Sequence, residues 1–293
     1  MRIMRTAIAI ILAVCTASTE AMGQSSSGKQ IKTETIMQYN VVAGQREPEG
    51  TRISLRRLDE EGRTVEQTSY KPDGTVIQKS TFAYDSRGNL QETVTTSLVE
   101  DASQRITCSY DDNNFLVESS VYTLDGRPKM RMTYSYQKGR LTEMITYTRD
   151  NRVSIRVVNM YGDDGRIVEA FGMTETGDVL SRVGYEYDSE GLQTTRIGKD
   201  GDIVLKTTKL FDPDGKLREE TSYDQDNRMT SQTRNRYDDN GRLIEVIAQV
   251  PSANMRTRKT ITYDDNGNSV EQTTYNKLDE PVQVLRSVYE YYE

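Results

Sequence analysis

Carboxylates at regular spacing are the first residues in this sequence that could carry out chemistry. Glutamate recurs at Glu66, Glu92, Glu118, Glu169, Glu219, Glu245 and Glu271, with Glu143 one residue early in its period. A glycosidase uses two carboxylates as acid and base or nucleophile. A catalytic pair is a single asymmetric feature, however, whereas these glutamates repeat along the chain. We therefore predict a non-catalytic protein without catalytic residues, with a two-carboxylate glycan hydrolase as the enzymatic alternative.

Aspartates in turn-like segments could instead hold a cation. Calcium prefers oxygen ligands, and these are offered by Asp111-Asp112-Asn113, Asp163-Asp164, Asp212-Pro213-Asp214 and Asp264-Asp265-Asn266. None of these segments has the spacing of an EF-hand or of the calcium nonapeptide. The chain also has no histidine, which excludes histidine-based nucleophile systems and histidine-ligated zinc. We predict no metal site and no cofactor, and we interpret Cys108 as a small buried hydrophobic residue.

The elements that must position these residues repeat with a fixed period. Tyr-Asp-x-x-Gly segments align on anchors spaced 24 to 26 residues apart, most often 26. The anchors are Leu58, Tyr84, Tyr110, Tyr136, Tyr161, Tyr187, Phe211, Tyr237, Tyr263 and Tyr289. A constant period of this length is typical of a repeat array.

Each period contains two turns, and the first is clear in the segment from Tyr84 to Leu90. Asp opens such a turn by accepting backbone hydrogen bonds, and Gly takes the left-handed position, where Asn114, Asn151 and Asn227 replace it. This loop type predicts that Tyr84 lies opposite Leu90 and that the residue two before Tyr84 lies opposite Glu92. The predicted structural positions are Tyr84, Gly88, Tyr110, Tyr136, Tyr161, Gly165, Tyr187, Gly191, Gly215, Tyr237, Gly241, Tyr263 and Gly267.

The segments between turns alternate with period two and are rich in Val, Ile, Thr and Tyr, which favours strands. The predicted fold is all-β: an antiparallel meander of about nineteen strands, built from tandem hairpins. A sheet this large twists, so we expect a long coiled or spiral sheet that could close in part. A second ladder of charge consists of Lys79, Arg105, Arg131, Arg156, Arg182, Lys206 and Arg258. In the predicted register it falls on the face opposite the glutamates.

Four tyrosines that the repeat does not require are our candidate binding residues. Tyr134 and Tyr185 each lie two positions before an anchor, and Tyr291 and Tyr292 lie just before the final residue, Glu293. Exposed aromatic rings can stack on sugars or anchor protein partners. Ordinary packing within the sheet is the competing interpretation.

The N-terminus has the features of a secretion signal. Arg2 and Arg5 precede an apolar run that is too short to span a bilayer. We predict a signal peptide at 1–23, a flexible leader with the start of the first strand at 24–50, and repeats at 51–293. The segment ending at Cys15 resembles a lipobox, so a lipid anchor at Cys15 is the alternative processing. The net charge of −7 argues against nucleic-acid binding, and we expect no integral membrane span.

The Tyr-Asp-x-x-Gly-(Arg/Asn)-Leu elements resemble the RHS or YD repeats of bacterial exported proteins, over roughly Thr51 to Tyr289. The resemblance implies long antiparallel sheets that spiral into shells, often around a toxin, and short members that bind sugars or belong to the cell envelope. The 26-residue period is longer than is usual in that family, and we expect no toxin domain after the repeats. A weaker likeness links the chain to MORN-type repeats.

These observations together predict an exported, non-catalytic repeat protein. It would act as a binding or structural surface for a glycan or an envelope protein, in the periplasm, at the cell surface or outside the cell. A remnant or accessory of an RHS-type toxin shell and an outer-membrane β-barrel are the alternatives. Alternating strands also typify a membrane barrel, but charges on both faces argue against one.

Overall fold

The protein is an antiparallel β-barrel in the computed structural model, which describes residues 30–99, 102–189, 191–198 and 200–293. Its strands are β1 (Ile31–Val42), β2 (Gln45–Arg46), β3 (Thr51–Leu58), β4 (Thr64–Tyr70), β5 (Val76–Tyr84), β6 (Leu90–Ser97), β7 (Gln104–Tyr110), β8 (Leu116–Tyr122), β9 (Pro128–Gln137), β10 (Arg140–Thr148), β11 (Val153–Tyr161), β12 (Ile167–Met173), β13 (Val179–Tyr187), β14 (Gly191–Gly198), β15 (Ile203–Phe211), β16 (Leu217–Tyr223), β17 (Met229–Tyr237), β18 (Leu243–Val250), β19 (Met255–Tyr263), β20 (Ser269–Tyr275) and β21 (Pro281–Tyr291). One 3₁₀ turn, Pro251–Ala253, joins β18 to β19.

Strand β1 closes the barrel. Each strand from β3 to β21 pairs with the next, and β1 pairs with β21 on one side and β3 on the other. The seam with β21 extends from Ile31 opposite Tyr291 to Asn40 opposite Gln283. Twenty strands therefore form a closed ring, and β2 is a short addition to β1. The all-β meander is confirmed, and the sheet closes completely rather than ending as an open spiral.

The closing strand lies before the first Tyr-Asp element, in the region 24–50 that the sequence suggested was mainly a leader. β1 supplies the strand that the first period lacks, and this explains the even strand number. The predicted signal peptide and the start of the leader lie outside the described residues. The proposed boundaries at 23 and 50 stay predictions.

The two turns of each period lie at opposite ends of the barrel. The first-turn rim contains the turns that join β3 to β4, β5 to β6 and so on to β20, together with both ends of the described chain. The second-turn rim contains the turns that join β4 to β5 and so on to β21, together with the segment between β1 and β3. This arrangement follows from antiparallel pairing of consecutive strands.

The two faces of the sheet differ in burial. Ile106, Val121, Met132, Tyr134 and Met144 share one face through consecutive strand pairings and form a buried cluster with Cys108, which is buried as predicted. We assign this face to the inside, because side chains on the concave side of a curved sheet converge and cover one another. Many of its remaining positions are Ser or Thr, such as the buried pair Ser80 and Thr95, whose hydroxyls are 2.9 Å apart. The inner face therefore has a strongly apolar section in β7 to β11.

A one-residue bulge follows most first turns and sets which residues share a face. Tyr84 lies opposite Leu90, as predicted, but Glu92 lies opposite Ala83 rather than opposite the residue two before Tyr84. Gln91 is the extra residue, and a bulge of this kind shifts every later side chain of the strand to the other face. The predicted register was therefore wrong beyond Leu90. The recurring glutamates lie on the outer face, whereas the anchor tyrosines lie on the inner face.

Candidate functional site

The outer face carries the glutamates and the basic ladder together. The bulges bring the two ladders, predicted to face apart, into diagonal contact. Lys79 Nζ lies 2.8 Å from a carboxylate oxygen of Glu66, and Arg105 Nε lies 2.5 Å from one of Glu92. The pairs Glu118–Arg131, Glu143–Arg156, Glu169–Arg182 and Glu245–Arg258 repeat the contact. We refer to these six ion pairs as the outer ladder.

Aromatic rings extend the outer ladder on its other side. Tyr122 lies directly opposite Arg105, and Tyr275 lies opposite Arg258, whose guanidinium carbon is 3.8 Å from the ring centroid. Arg131 makes the same contact with Tyr147 at 4.1 Å. Such cation–π contacts contribute about 0.5–1 kcal/mol at exposed sites, and exposed ion pairs about 0.2–1 kcal/mol. The ladder thus satisfies its own charges and adds modest stability per repeat.

A second recurring contact joins neighbouring hairpins at the first-turn rim. Arg63 donates a 2.8 Å hydrogen bond to Asp59 of its own turn, and its guanidinium lies 4.9 Å from the ring of Tyr84. The Tyr84 hydroxyl donates to the backbone carbonyl of Thr64 at 2.8 Å. We call this set the tyrosine bridge. The hydroxyl bond recurs, always to the residue twenty positions earlier, at Tyr110, Tyr161, Tyr237, Tyr263 and Tyr289.

The bridge explains why the anchor is tyrosine. The pairings between β6 and β7 begin at Glu92 and Thr107, so the carbonyl of Leu90 lies beyond the ladder and is instead bonded by Tyr110. An unpaired backbone carbonyl in a partly buried position would cost free energy. The residue that stacks on the next ring was not predicted from the sequence. The side chain that stacks on the anchor tyrosine of the next period is Arg, Lys or Phe. Phe115, for example, stacks on Tyr136 with the ring centroids 4.8 Å apart.

Removing one bridge hydroxyl should lower stability measurably. We expect Tyr263→Phe to reduce the free energy of unfolding by about 0.5–1.5 kcal/mol, because the Leu243 carbonyl loses its 2.8 Å partner. Tyr223→Phe is the matched control, since no hydrogen bond of its hydroxyl is found within the described residues. Urea unfolding followed by circular dichroism measures both variants. Equal effects of the two substitutions would show that the hydroxyl bond does not stabilise the rim.

The turn aspartates predicted to cap backbone amides do so. Asp85 Oδ1 accepts hydrogen bonds from the amides of Arg87 and Asn89, each at 2.9 Å, and Asp264 accepts from Asn266 and Asn268. These oxygens are therefore engaged by the backbone. Within the described residues no group of three or more His, Cys, Asp or Glu side chains is arranged to hold a metal ion.

The glycine positions agree with the prediction except at one turn. Gly88, Gly165, Gly215, Gly241 and Gly267 have φ between +75° and +84°, and the predicted asparagines Asn114, Asn151 and Asn227 are left-handed too. Gly191 is the exception: it is the first residue of β14. Tyr187 and Leu192 are paired without a bulge and are five residues apart, whereas Tyr84 and Leu90 are six apart. The left-handed role assigned to Gly191 was therefore wrong.

Acid should destabilise the protein because it protonates turn aspartates such as Asp85 and Asp125. Hydrogen bonds from Arg127 and Thr123 lower the pKa of Asp125 to about 2, and hydrogen bonds from Asn89 lower the pKa of Asp85. A carboxyl with a lower pKa in the folded state stabilises the fold above its unfolded-state pKa, and this contribution disappears as the pH falls through the folded-state pKa. We expect the urea midpoint to be steady from pH 7 to about 5 and to fall between about pH 4 and 2.

The control for the acid prediction is Asp125→Asn. This substitution removes one titrating group, so the midpoint should be lower at neutral pH and fall less on acidification. A midpoint that does not change between pH 5 and 2 in the unsubstituted chain would contradict the prediction.

The four candidate binding tyrosines lie in different environments. Tyr134 is buried in the inner cluster, 7% exposed, with its hydroxyl 3.1 Å from Ser119 Oγ. Tyr185 is partly buried on the inner face, and burial raises its pKa. The hydroxyl of Tyr291 accepts a hydrogen bond from Asn268 at 3.3 Å, and that of Tyr292 donates to the carbonyl of Leu58 at 2.7 Å. The structure does not bring them into one site; their binding role stays a prediction, and Tyr134 is the least accessible.

Tyr291 and Tyr292 belong to the seam that closes the barrel. The amide of Tyr292 donates to the carbonyl of Gln30 at 2.9 Å. Nearby, Glu34 accepts a hydrogen bond from Ser287, lies 3.2 Å from the Tyr289 hydroxyl and pairs with Arg56 at 2.7 Å. The pKa of Tyr289 is raised to about 12, mainly by burial and also by the negative charge of Glu34. The terminal tyrosines thus have a structural role in closure, whatever else they contact.

A shallow recess of about 380 Å³ lies at the second-turn rim. Asp200, Asp202, Asp224 and Asp226 line it together with the aliphatic side chains of Ile203 and Val204. Asp224 caps the backbone of its own turn, and Asp226 pairs with Arg228 at 3.0 Å.

Within the described part of the chain, no helix is long and apolar enough to span a bilayer.

Two sequence families match the chain. Residues 18–169 match a family described as "Uncharacterised protein", and residues 206–225 match MORN_2, the MORN repeat variant. These matches include no RHS or YD repeat family, so that resemblance stays a hypothesis. No curated protein matches the sequence.

Several solved structures are similar to this chain at low sequence identity and low TM-score. TcdB2-TccC3-TEV is 14% identical with a TM-score of 0.39, over 85% of this chain and 14% of that chain. A porin-like protein from Bacteroides uniformis ATCC 8492 is 8% identical with a TM-score of 0.39, over 89% of this chain and 98% of that chain. A porin-like protein from Bacteroides vulgatus ATCC 8482 is 10% identical with a TM-score of 0.35, over 74% and 95%. The barrel assignment rests on the strand pairings given above.

Proposed function

The chain belongs to the family described as "Uncharacterised protein", and we propose that it is an exported, non-catalytic β-repeat barrel that acts as a binding or structural surface at the cell envelope. Its partner would be a glycan or an envelope protein. Its place would be the periplasm, the cell surface or the exterior, reached through the signal at 1–23 or a lipid anchor at Cys15.

The observation that carries this proposal is the outer ladder. Ion pairs such as Glu92–Arg105 and Glu118–Arg131 lie within the strands on the outer face, not in the turns. An Arg or Lys facing lipid at the bilayer midplane costs about 2–4 kcal/mol, whereas the same pairs are stable in water. The charged groups also repeat and are mutually satisfied, which suits a rigid scaffold better than a catalytic centre.

Complete closure favours a second candidate, an outer-membrane barrel. Twenty antiparallel strands without a free edge meet the requirement that a membrane barrel satisfies its backbone hydrogen bonds. A closed wall would equally suit an accessory of a toxin shell, as the RHS resemblance suggests.

The solubility and vesicle binding of the mature chain, residues 24–293, measured without detergent, separate these candidates. We expect a monodisperse protein in buffer that stays at the bottom of a flotation gradient with phosphatidylcholine and phosphatidylglycerol vesicles. Insertion into the vesicles, or a need for detergent, would favour the outer-membrane barrel. Encapsulation of a co-expressed partner inside the barrel would favour the shell.

Binding and catalysis are then tested with purified envelope glycans and envelope proteins immobilised on a sensor. We expect saturable binding of one of these classes without release of reducing ends from the glycans. Turnover that Glu92→Gln or another single carboxylate substitution abolishes would contradict the non-catalytic proposal. Glu92 has matched controls at the equivalent positions of other periods, such as Glu118 and Glu245.

A further inference from the structure

Exposed aliphatic side chains are concentrated at the second-turn rim. Of the sixteen large apolar side chains that are exposed in the described residues, twelve lie in its turns or in the strand residues next to them. They are Val42, Val76, Leu98, Val99, Leu124, Val179, Leu180, Ile203, Val204, Met255, Leu278 and Val282. They come from eight separate connections around the ring. An end of the barrel with so many exposed apolar side chains is a candidate interaction surface.

A bulge follows several second turns as well, and at two of them it adds an exposed aliphatic residue. Val179 lies opposite Met173 and Ser181 opposite Gly172, so Leu180 is an extra residue. Val204 is extra in the same way next to Ile203. A bulge sets two consecutive residues against a single partner, and at these two positions both residues are aliphatic and exposed. The first-turn rim has few exposed counterparts, chiefly Met160, Val168 and Phe211.

The turns of this rim are also acidic. Their described residues include thirteen carboxylates and seven basic side chains; Asp200, Asp202, Asp224 and Asp226 are four of the carboxylates. Negative charge repels anionic lipid headgroups and also a second acidic copy of the same rim. It attracts a positively charged surface. The described chain starts and ends at the other rim, so no described segment of this chain covers the aliphatic ring.

We propose that the second-turn rim is the docking surface for a basic protein partner that inserts apolar side chains between the rim aliphatics. This inference rests on the proposed binding function and names the surface and the chemistry of its partner. Leu98 and Leu278, 62% and 70% exposed, are the most accessible leucines. They act as apolar contacts, and the surrounding aspartates orient the partner by charge. Carboxylates at a rim raise the association rate and make binding sensitive to salt.

Photo-crosslinking of the full chain in bacterial cells tests the proposal. A benzophenone amino acid replaces Leu98 or Leu278 at this rim, or Met160 at the first-turn rim as the matched control. We expect one protein of basic isoelectric point to be captured from the two leucine positions and not from Met160. Capture of a second copy, of lipid alone, of an acidic protein, or of nothing would overturn the proposal.

The captured protein is then purified and its affinity measured. Leu98→Ser with Leu278→Ser should weaken binding at least tenfold, which corresponds to about 1.4 kcal/mol. Met160→Ser with Val168→Ser should leave it unchanged, and higher salt should weaken it in all variants. These side chains are exposed, so circular dichroism should show all variants folded. If the mature chain binds an envelope component equally well with and without the rim leucines, the docking proposal fails and the proposed binding function survives. If it binds none, both fail.

Discussion

Deletion of residues 30–50 should abolish the native fold. This segment contains β1, which pairs with β21 over nine residue pairs and with β3 over six. Without it the ring opens, and β3 and β21 become two long unpaired edges. Open edges of strands recruit other chains, so we expect aggregation or loss of the cooperative transition. The effect should be the largest of any deletion of comparable length.

The matched control is removal of one complete period from the interior of the array. Deletion of residues 218–243 joins Leu217 to Ile244, which occupy consecutive positions of the repeat frame. The hybrid strand keeps Glu245 and its turn, so eighteen strands can still close through β1 and β21. Repeats contact mainly their neighbours, and we expect a folded monomer with a lower free energy of unfolding.

Size-exclusion chromatography and circular dichroism at increasing temperature compare the two deletions. Soluble, cooperatively unfolding protein after loss of residues 30–50 would contradict the role of β1. Loss of all structure after deletion of 218–243 would contradict the modular array.

Truncation of Met132 should be the most destabilising single substitution that keeps an apolar residue. Its side chain is 0% exposed, at the centre of the inner cluster formed with Val121, Tyr134 and Met144. Replacing Met by Ala in a filled core removes buried area and leaves a cavity, at a cost of about 2–5 kcal/mol. We expect Met132→Ala to lower the free energy of unfolding by an amount in this range.

Met160→Ala is the control for Met132→Ala. Met160 lies on the outer face and is 50% exposed, so its truncation should change stability by about 0.5 kcal/mol or less. Urea titration of both variants gives the comparison. Similar losses in the two variants would show that the face of Met132 is not the core of the barrel.

Local sequence chemistry predicted the turns better than the register. Asp85 and Gly88 have the expected roles because turn geometry depends on a few adjacent residues. The bulge at Gln91 depends on how strand β6 fits β5, and nothing within the turn specifies it. The sequence therefore revealed both charge ladders and placed them on opposite faces, whereas the structure pairs them on one. Their diagonal spacing of thirteen residues, as from Glu92 to Arg105, was the signal that could have indicated the bulge.

Closure was harder to predict for a different reason. β1 lacks the Tyr-Asp element, and its partners in β21 are more than 240 residues away, so no local pattern connects them. The aliphatic rim was also missed, because Val179, Ile203 and Leu278 look like ordinary strand or turn residues until the turns are gathered at one end of a ring. The tyrosines outside the repeat frame were visible in the sequence, but their burial depends on the curvature of the sheet.

The closed ring is tested most directly by a disulfide across its seam. Gln38 and Leu285 lie directly opposite each other on β1 and β21, and opposite side chains in an antiparallel pair are close enough for a disulfide. In a Cys108→Ser background, Gln38→Cys with Leu285→Cys should oxidise to an intramolecular bond, seen by mass spectrometry without reductant. Gln38→Cys with Thr233→Cys, on the distant strand β17, should stay reduced. A seam pair that stays reduced, or that links only between chains, would contradict a closed barrel.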